Sequence, residues 1–177
     1  MFDGQVSVPK GVCDLAPRPP VIRELSEPDL TVLPGIKATV IMPSPSIPSG
    51  GEVSAELEIA NVSETEIAFQ TDNPLVAAFV LPGTRSVVGA FGGAIAGVGL
   101  NVRLAPRATR LIPVIVGAWG HVSRERDPRT FQNVHDNLVP GSYGLLVCVP
   151  SHSQENGYQR EELWSNEIPI LVTPPRG

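Results

Sequence analysis

The three histidines of this 177-residue chain are the side chains best suited to hold a metal ion or to act as a catalytic base. They are His121, His135 and His152. Zinc sites usually take ligands about two to five residues apart, and no two of these histidines have that spacing. The two cysteines are also far from each other in the chain. The pattern predicts histidines in solvated loops, no metal site and no cofactor.

A hydrolase site would need a nucleophile, a base and an orienting acid. In this chain the nucleophile would be Ser123 or Ser151, the base one of the histidines, and the orienting acid Asp136. The chain has no G-x-S-x-G turn, no glycine-rich phosphate loop that opens a helix and no H-E-x-x-H motif. Glu56 and Glu58 alternate along a predicted strand, which places both on a solvent face. The sequence therefore predicts a protein that is not an enzyme.

Arginines are concentrated in residues 85–136, where seven arginines and three acidic residues give a net charge of +4, while residues 52–66 hold five glutamates and no base. Oppositely charged surfaces of neighbouring copies could meet, although charges scattered over a soluble surface explain the pattern as well. Arg124, Arg126 and Arg129 are candidate protein contacts. The net charge of −5 and the pI near 5.2 argue against nucleic-acid binding.

Residues 86–102 form an uncharged, glycine-rich stretch with Gly93 and Gly97 in G-x-x-x-G spacing. A membrane helix is one interpretation, but the run is short and glycine disfavours helix by about 1 kcal/mol relative to alanine. A glycine-rich β-hairpin or loop is favoured, so membrane contact is not expected.

The sequence does not identify the cellular compartment of the protein. The first residues show no basic segment followed by an apolar one, so we expect no secretory signal, unless a leader has been removed. The protein is then cytoplasmic or part of an assembly. Cys13 and Cys148 either pair or remain two thiols.

Residues 1–36 contain six prolines and no sustained hydrophobic period, which predicts an extended N-terminal arm before a domain at 37–177. The arm includes Val21, Ile22 and Leu25, which are too apolar for a solvated linker and are candidate contacts. It is expected to pack on its own domain or on a neighbouring copy.

The remaining chain, with 42% hydrophobic residues, 19 Pro and 17 Gly, reads as seven to nine strands joined by turns and nothing helical of any length. Residues 52–61 alternate without fault, with Val53, Ala55, Leu57 and Ile59 on one face. Strands are predicted at 37–42, 52–61, 65–71, 75–81, 86–90, 99–104, 111–116, 143–149 and 163–172. The strands at 52–61 and 65–71 are expected to form a hairpin, and Pro113 to mark an edge strand or a bulge. Residues 43–50 are expected to be a rigid turn, 117–137 a long excursion and 151–162 a polar loop.

The motif L-x-P-G-x-Y at 138–143 follows a strand that ends in N-x-S at 61–63, with the segment 104–114 between them. This order resembles bacterial immunoglobulin-like domains, among them the BsuPI-type proteinase inhibitor family and related actinobacterial domains. The resemblance implies an all-β, two-sheet immunoglobulin-like antiparallel sandwich. Pro140 and Gly141 would form the turn, and Tyr143 would be a tyrosine corner whose hydroxyl bonds back to the turn backbone.

We expect a non-enzymatic structural or accessory protein that acts through protein contacts, as a component of a larger assembly or as a homo-oligomer. The arm, the glycine-rich stretch and the segregated charge favour this function. The resemblance implies an alternative, a proteinase inhibitor that presents a loop within residues 121–136 to an enzyme.

Overall fold

A computed structural model describes residues 19–25, 35–71, 75–91, 99–126, 133–153 and 159–175. In these ranges the chain is all-β, with strands and turns and no helix, as the sequence predicts. The strands are β1 (Arg23–Glu24), β2 (Ile36–Ile41), β3 (Ser46–Pro48), β4 (Glu52–Asn61), β5 (Ile67–Thr71), β6 (Val76–Val80), β7 (Ser86–Phe91), β8 (Leu100–Leu104), β9 (Thr109–Gly117), β10 (Trp119–Arg126), β11 (Asn133–Asn137), β12 (Gly141–Ser153), β13 (Gln159–Trp164) and β14 (Ile168–Thr173).

The largest sheet has nine strands, and the long strand β12 is its centre. The order β1-β7-β6-β12-β14-β3 runs across it, while β13 and β5 pair with β12, and β8 pairs with β5. All described pairs are antiparallel except β14 with β3. Period-2 alternation along β12 buries Tyr143, Leu145, Val147 and Val149 on one face and Cys148 on the other, as expected.

A smaller sheet has the order β2-β4-β9. The predicted alternation of β4 is confirmed, with Ala55, Leu57 and Ile59 buried and Val53 half-buried. Strand β9 pairs only with β4 among the described strands, which confirms the edge position predicted from Pro113. A proline has no N–H, and an edge strand tolerates that loss because one of its sides has no ladder.

The main hydrophobic core lies between these two sheets. Leu57, Ile59 and Val116 come from the three-stranded sheet, and Phe79 and Leu145 from the nine-stranded sheet. A second cluster covers the other face of the nine-stranded sheet. Its buried members are Leu25, Ala78, Val80, Val87, Leu146, Cys148 and Trp164. The large sheet is thus apolar on both faces in its middle.

The predicted hairpin of residues 52–61 with 65–71 is wrong. Strand β4 pairs with β2 and β9, whereas β5 pairs with β8 and β12 in the other sheet. The buried side chain of Asn61 explains the crossing, because its Nδ2 donates to the carbonyl oxygens of Thr65, Leu104 and Ala105 at 2.8, 3.1 and 3.1 Å. Its Oδ1 also accepts from the backbone N–H of Ser63 at 2.9 Å. Asn61 therefore joins two turns, and the chain changes sheets there.

Three segments expected to lack strands contain them. The turn at 43–50 includes β3, the excursion at 117–137 contains the antiparallel pair β10 and β11, and the polar loop at 151–162 includes the end of β12 and the start of β13. The final strand expected at 163–172 is divided between β13 and β14. These segments are rich in polar residues or prolines, so backbone pairing is not accompanied by the hydrophobic alternation that reveals a strand in sequence.

Candidate functional site

The described part of the predicted arm, residues 19–25, lies along the chain's own domain. Arg23 and Glu24 pair with Val87 and Ser86 of β7. The backbone N–H of Ile22 donates to the carbonyl of Val87 at 2.7 Å, and that of Leu25 to the carbonyl of Arg85 at 2.9 Å. The segment thus adds the outermost strand to the nine-stranded sheet. Residues 1–18 and 26–34 lie outside the described residues.

Leu25 is the apolar anchor of this segment. It is 4% exposed and belongs to the second cluster, so it contacts its own domain rather than a partner of the folded chain. It also lines a cavity of about 360 Å³ together with Lys37, Val80, Leu146 and Trp164. Val21 and Ile22, by contrast, are 49% and 40% exposed. Only these two of the three arm candidates are available to another molecule.

Arg23 is the polar anchor of the same segment. Its guanidinium forms an ion pair with Glu162 at 3.1 Å, and its Cζ lies 6.0 Å from the centroid of the Trp164 ring. Both contacts reach β13, so the segment is held by side chains from a second strand as well as by the β7 backbone. The sequence gives no local signal for the contact of Arg23 with Glu162, because the two residues are 139 positions apart.

A second surface is the outer face of the three-stranded sheet, defined as Ile41, Glu52, Glu56, Glu58, Leu111 and Ile115. Glu56 stands between Ile41 of β2 and Pro113 of β9, and Glu58 between Thr39 and Leu111. Ile41, Leu111 and Ile115 are 43%, 52% and 42% exposed. The face therefore combines a central column of carboxylates with apolar side chains on both neighbouring strands.

The glutamates of the outer face differ from the other two glutamates of residues 52–66. Glu64 pairs with Arg107, and Glu66 with Arg103 at 3.7 Å. Within the described ranges Glu52, Glu56 and Glu58 form no ion pair. Since alternate residues of a strand are about 7 Å apart, Glu56 and Glu58 repel each other moderately and concentrate negative potential on this face.

Leu111 and Ile115 were not predicted as contact residues, although the sequence shows that their strand is apolar on both faces. In the run L-I-P-V-I-V at 111–116, the buried residues Ile112, Val114 and Val116 occupy one face of β9. Leu111 and Ile115 then fall on the opposite face, where an edge strand of a soluble domain usually carries polar residues. A strand that is apolar on both faces indicates either a covered edge or a contact surface.

Tyr143 makes the contact that the sequence predicts for it. Its hydroxyl donates to the carbonyl oxygen of Val139 at 2.7 Å, and its ring meets Phe79 edge to face at 6.2 Å between centroids. Burial raises the pKa of the Tyr143 phenol above its ordinary value of 10.0. Pro140 is exposed in the turn, and Gly141 begins β12.

The other residues singled out from sequence lie in three different strands or outside the described residues. Arg124 and Arg126 belong to β10, where Arg126 stands opposite Asn133, and Arg129 lies outside the described residues. His121, His135 and His152 belong to β10, β11 and β12, which corrects their expected placement in loops. Cys148 is buried in the second cluster, and Cys13 lies outside the described residues, so a pair and two separate thiols both stay open alternatives.

Two further expectations concern metal binding and membranes. Among the described residues, no three His, Cys, Asp or Glu come together as possible metal ligands. Within the same ranges no helix is long and apolar enough to cross a bilayer. The G-x-x-x-G stretch at 93–97 lies outside them.

No family model matches the chain, and no curated protein matches it in sequence. Several solved structures resemble it in part. One is a β-glucosidase from Erythrobacter marinus, with 13% identity over 78% of this chain and 15% of that chain and a TM-score of 0.41. Another is the C-terminal domain of wzt, with 9% identity over 82% of this chain and 78% of that chain and a TM-score of 0.43. A third is the sporulation control protein Spo0M from Bacillus subtilis, with 11% identity over 79% of this chain and 50% of that chain and a TM-score of 0.39. The chain thus spans about a seventh of the length of the glucosidase. At TM-scores below 0.5, these likenesses assign neither a family nor an activity.

Proposed function

We propose that this protein is a non-enzymatic, immunoglobulin-like β-sandwich domain that acts through protein contacts as a component of a larger assembly. The outer face of the three-stranded sheet carries the proposal. Scattered exposed apolar residues are normal on soluble proteins, but here three flank a column of carboxylates that form no ion pair with any described residue.

The chemistry of this face selects the partner. Negative potential from Glu52, Glu56 and Glu58 attracts a basic surface, and Leu111 and Ile115 supply apolar area that a partner would cover. The partner is therefore a protein surface on which a central row of arginine or lysine side chains has apolar side chains on both sides.

The test starts with complexes isolated from cells that make the tagged chain. Proteins that co-purify are identified by mass spectrometry, and the complex is rebuilt from the purified chain and partner. We expect the Kd of the rebuilt complex to rise at least tenfold in Leu111→Ser, and in a variant with both Glu56→Lys and Glu58→Lys. The second variant should also lose most of the salt dependence of association.

Matched controls exist in the same chain. Leu171 is 48% exposed on β14, so Leu171→Ser removes a comparable apolar side chain outside the outer face. Glu64→Lys with Glu66→Lys makes the same change of charge at glutamates already paired with arginines. These controls should bind like wild type. A rebuilt complex that is insensitive to the outer-face variants would overturn the proposal.

A second candidate function is the proteinase inhibitor. Strands β10 and β11 form a two-stranded sheet that shares no ladder with the other described strands, and the connecting residues 127–132 include Arg129. A hairpin of this kind is suited to present a loop to an enzyme. Inhibition assays against serine, cysteine and metalloproteinases test it. A 1:1 complex weakened by Arg124→Ala, Arg126→Ala or Arg129→Ala would favour the inhibitor, and absence of inhibition would exclude it for those classes.

A further inference from the structure

We propose that the edge of β7 covered by residues 19–25 also accepts these residues from a second copy of this chain, so that copies assemble by exchanging their first strands. The proposal rests on the protein-contact function above and names the partner at a different surface. It uses the β7 edge, the second cluster and Glu162, none of which belongs to the outer face.

The edge of β7 is covered by one short strand, β1. On one side β7 pairs with β6, and on the other only with β1 among the described strands. Strand β1 has two residues, and its flanks add the bonds from Ile22 and Leu25 to β7 carbonyls. Without this segment, β7 would offer an open row of backbone donors and acceptors, which is the usual template for strand addition.

The side chains give the site its specificity. Leu25 is buried against the second cluster, whose other buried members all come from β6, β7, β12 and β13. Two residues earlier, Arg23 pairs with Glu162 and lies near the Trp164 ring. The site therefore accepts an extended strand that carries arginine and leucine two residues apart. A second copy presents this same strand.

The length of the connection permits exchange. Residues 26–34 link Leu25 to Gly35, and Leu25 and Lys37 line the same cavity. Nine extended residues span about 30 Å, so a strand anchored on one copy can reach a neighbour. Exchange keeps every contact of the strand, and therefore costs little beyond the entropy of association.

A charge swap between Arg23 and Glu162 separates exchange from packing within one chain. In full-length Arg23→Glu the new carboxylate on the strand faces the carboxylate of Glu162. In full-length Glu162→Arg the guanidinium of Arg23 faces a second guanidinium. If the two variants are produced together in one cell with different tags, an exchanged heterodimer restores both ion pairs. In an unexchanged chain neither pair can be restored.

Native mass spectrometry and light scattering give the readout. We expect wild type to form dimers or larger species, and the mixture to form heterodimers at least tenfold in preference to either homodimer, because only exchange between the two variants restores the ion pairs. Each single variant alone should dimerise about as wild type does, since it lacks the pair in the closed and the exchanged form alike, and so should the double variant, which has the pair in both forms. Arg103→Glu produced with Glu66→Arg is the matched control, because that exposed pair lies away from β7, and it should show no preference for heterodimers.

A photo-crosslinker at the exposed position Ile22 keeps the test decisive if a charge variant folds poorly. Co-refolded light and heavy-isotope copies should then yield peptides that join position 22 of one copy to β7 of the other. Crosslinks confined to single copies, or a wild-type monomer at the highest soluble concentration, would overturn the exchange. Loss of exchange with outer-face binding intact would leave the proposed function standing, whereas loss of outer-face binding alone would not affect the exchange.

Discussion

The hydroxyl of Tyr143 and the carbonyl oxygen of Val139 are 2.7 Å apart and close the turn that precedes the central strand β12. Removing this bond without removing the ring tests its contribution. We expect Tyr143→Phe to lower the free energy of unfolding by about 1 kcal/mol, since the carbonyl loses a partly buried donor. Urea denaturation followed by circular dichroism measures the change. Tyr143→Leu, which also removes the ring beside Phe79, should cost clearly more. Equal stability of Tyr143→Phe and wild type would contradict a stabilising role for the bond.

The raised pKa of Tyr143 makes a separate prediction about alkaline pH. A group whose pKa is higher in the folded state contributes stability that is complete below its unfolded value, here 10.0, and that disappears as pH rises through the folded pKa. The stability advantage of wild type over Tyr143→Phe should therefore be constant at neutral pH and shrink above pH 10. Parallel denaturation curves across that range test this, because the other titrating groups are common to both proteins. A constant difference would contradict it.

Asn61 is expected to be one of the most sensitive polar residues. Its amide donates to three carbonyl oxygens in two turns and is only 2% exposed. Asn61→Ala should destabilise the fold by about 2 kcal/mol or more, since buried acceptors lose their donors. Ser63→Ala, which removes a neighbouring hydroxyl that bonds Asn61 and Thr65 near the surface, is the milder control. Thermal denaturation of both variants gives the comparison, and equal losses would contradict a special role for Asn61.

Gly89 allows β10 to approach β7 closely. A Cβ at this position would overlap the backbone carbonyl oxygen of Trp119, which cannot move away as a flexible side chain would. Gly89→Ala should therefore destabilise by about 1–3 kcal/mol through overpacking. Gly83→Asn is the control, because Gly83 has a positive φ of 70° but open space around its Cα, and asparagine tolerates that conformation. A melting temperature of Gly89→Ala equal to wild type would show that β10 can shift.

Leu111 and Ile112 are adjacent in β9 but face opposite ways, and the difference is measurable. Ile112 is 3% exposed in the main core, so Ile112→Ala should cost about 2–5 kcal/mol. Leu111→Ala should change stability by less than about 0.5 kcal/mol, since its side chain is half exposed. If Leu111→Ala were strongly destabilising, that residue would have a structural role, and its use as a contact residue would be wrong.

The sequence predicted those strands that bury one face. The alternation of β4 and the L-x-P-G-x-Y turn before β12 were both visible, because a half-buried strand must alternate and a buried tyrosine hydroxyl needs a partner. The strands predicted at 75–81 and 86–90 likewise correspond to the antiparallel pair β6 and β7.

Which strand pairs with which could not be predicted from local sequence patterns. Strands β4 and β5 are neighbours in the chain but belong to different sheets, and where the chain crosses between them Asn61 bonds to Leu104 and Ala105, 43 and 44 residues away. The contact of Arg23 with Glu162 likewise joins distant parts of the chain. Local patterns report burial, while the choice of partner depends on the free energy of the whole fold.

The central position of β12 has a consequence for synthesis. This strand pairs with β5, β6, β13 and β14, of which β5 and β6 come long before it and β13 and β14 after it. A nascent chain that stops before Gly141 therefore contains β5 and β6 but lacks the strand that joins them. During translation β5 and β6 can pair with β8 and β7, but the edges that β12 covers stay open until β12 itself leaves the ribosome. Because open strand edges are templates for aggregation, we expect the nascent chain to depend most on chaperones in this interval.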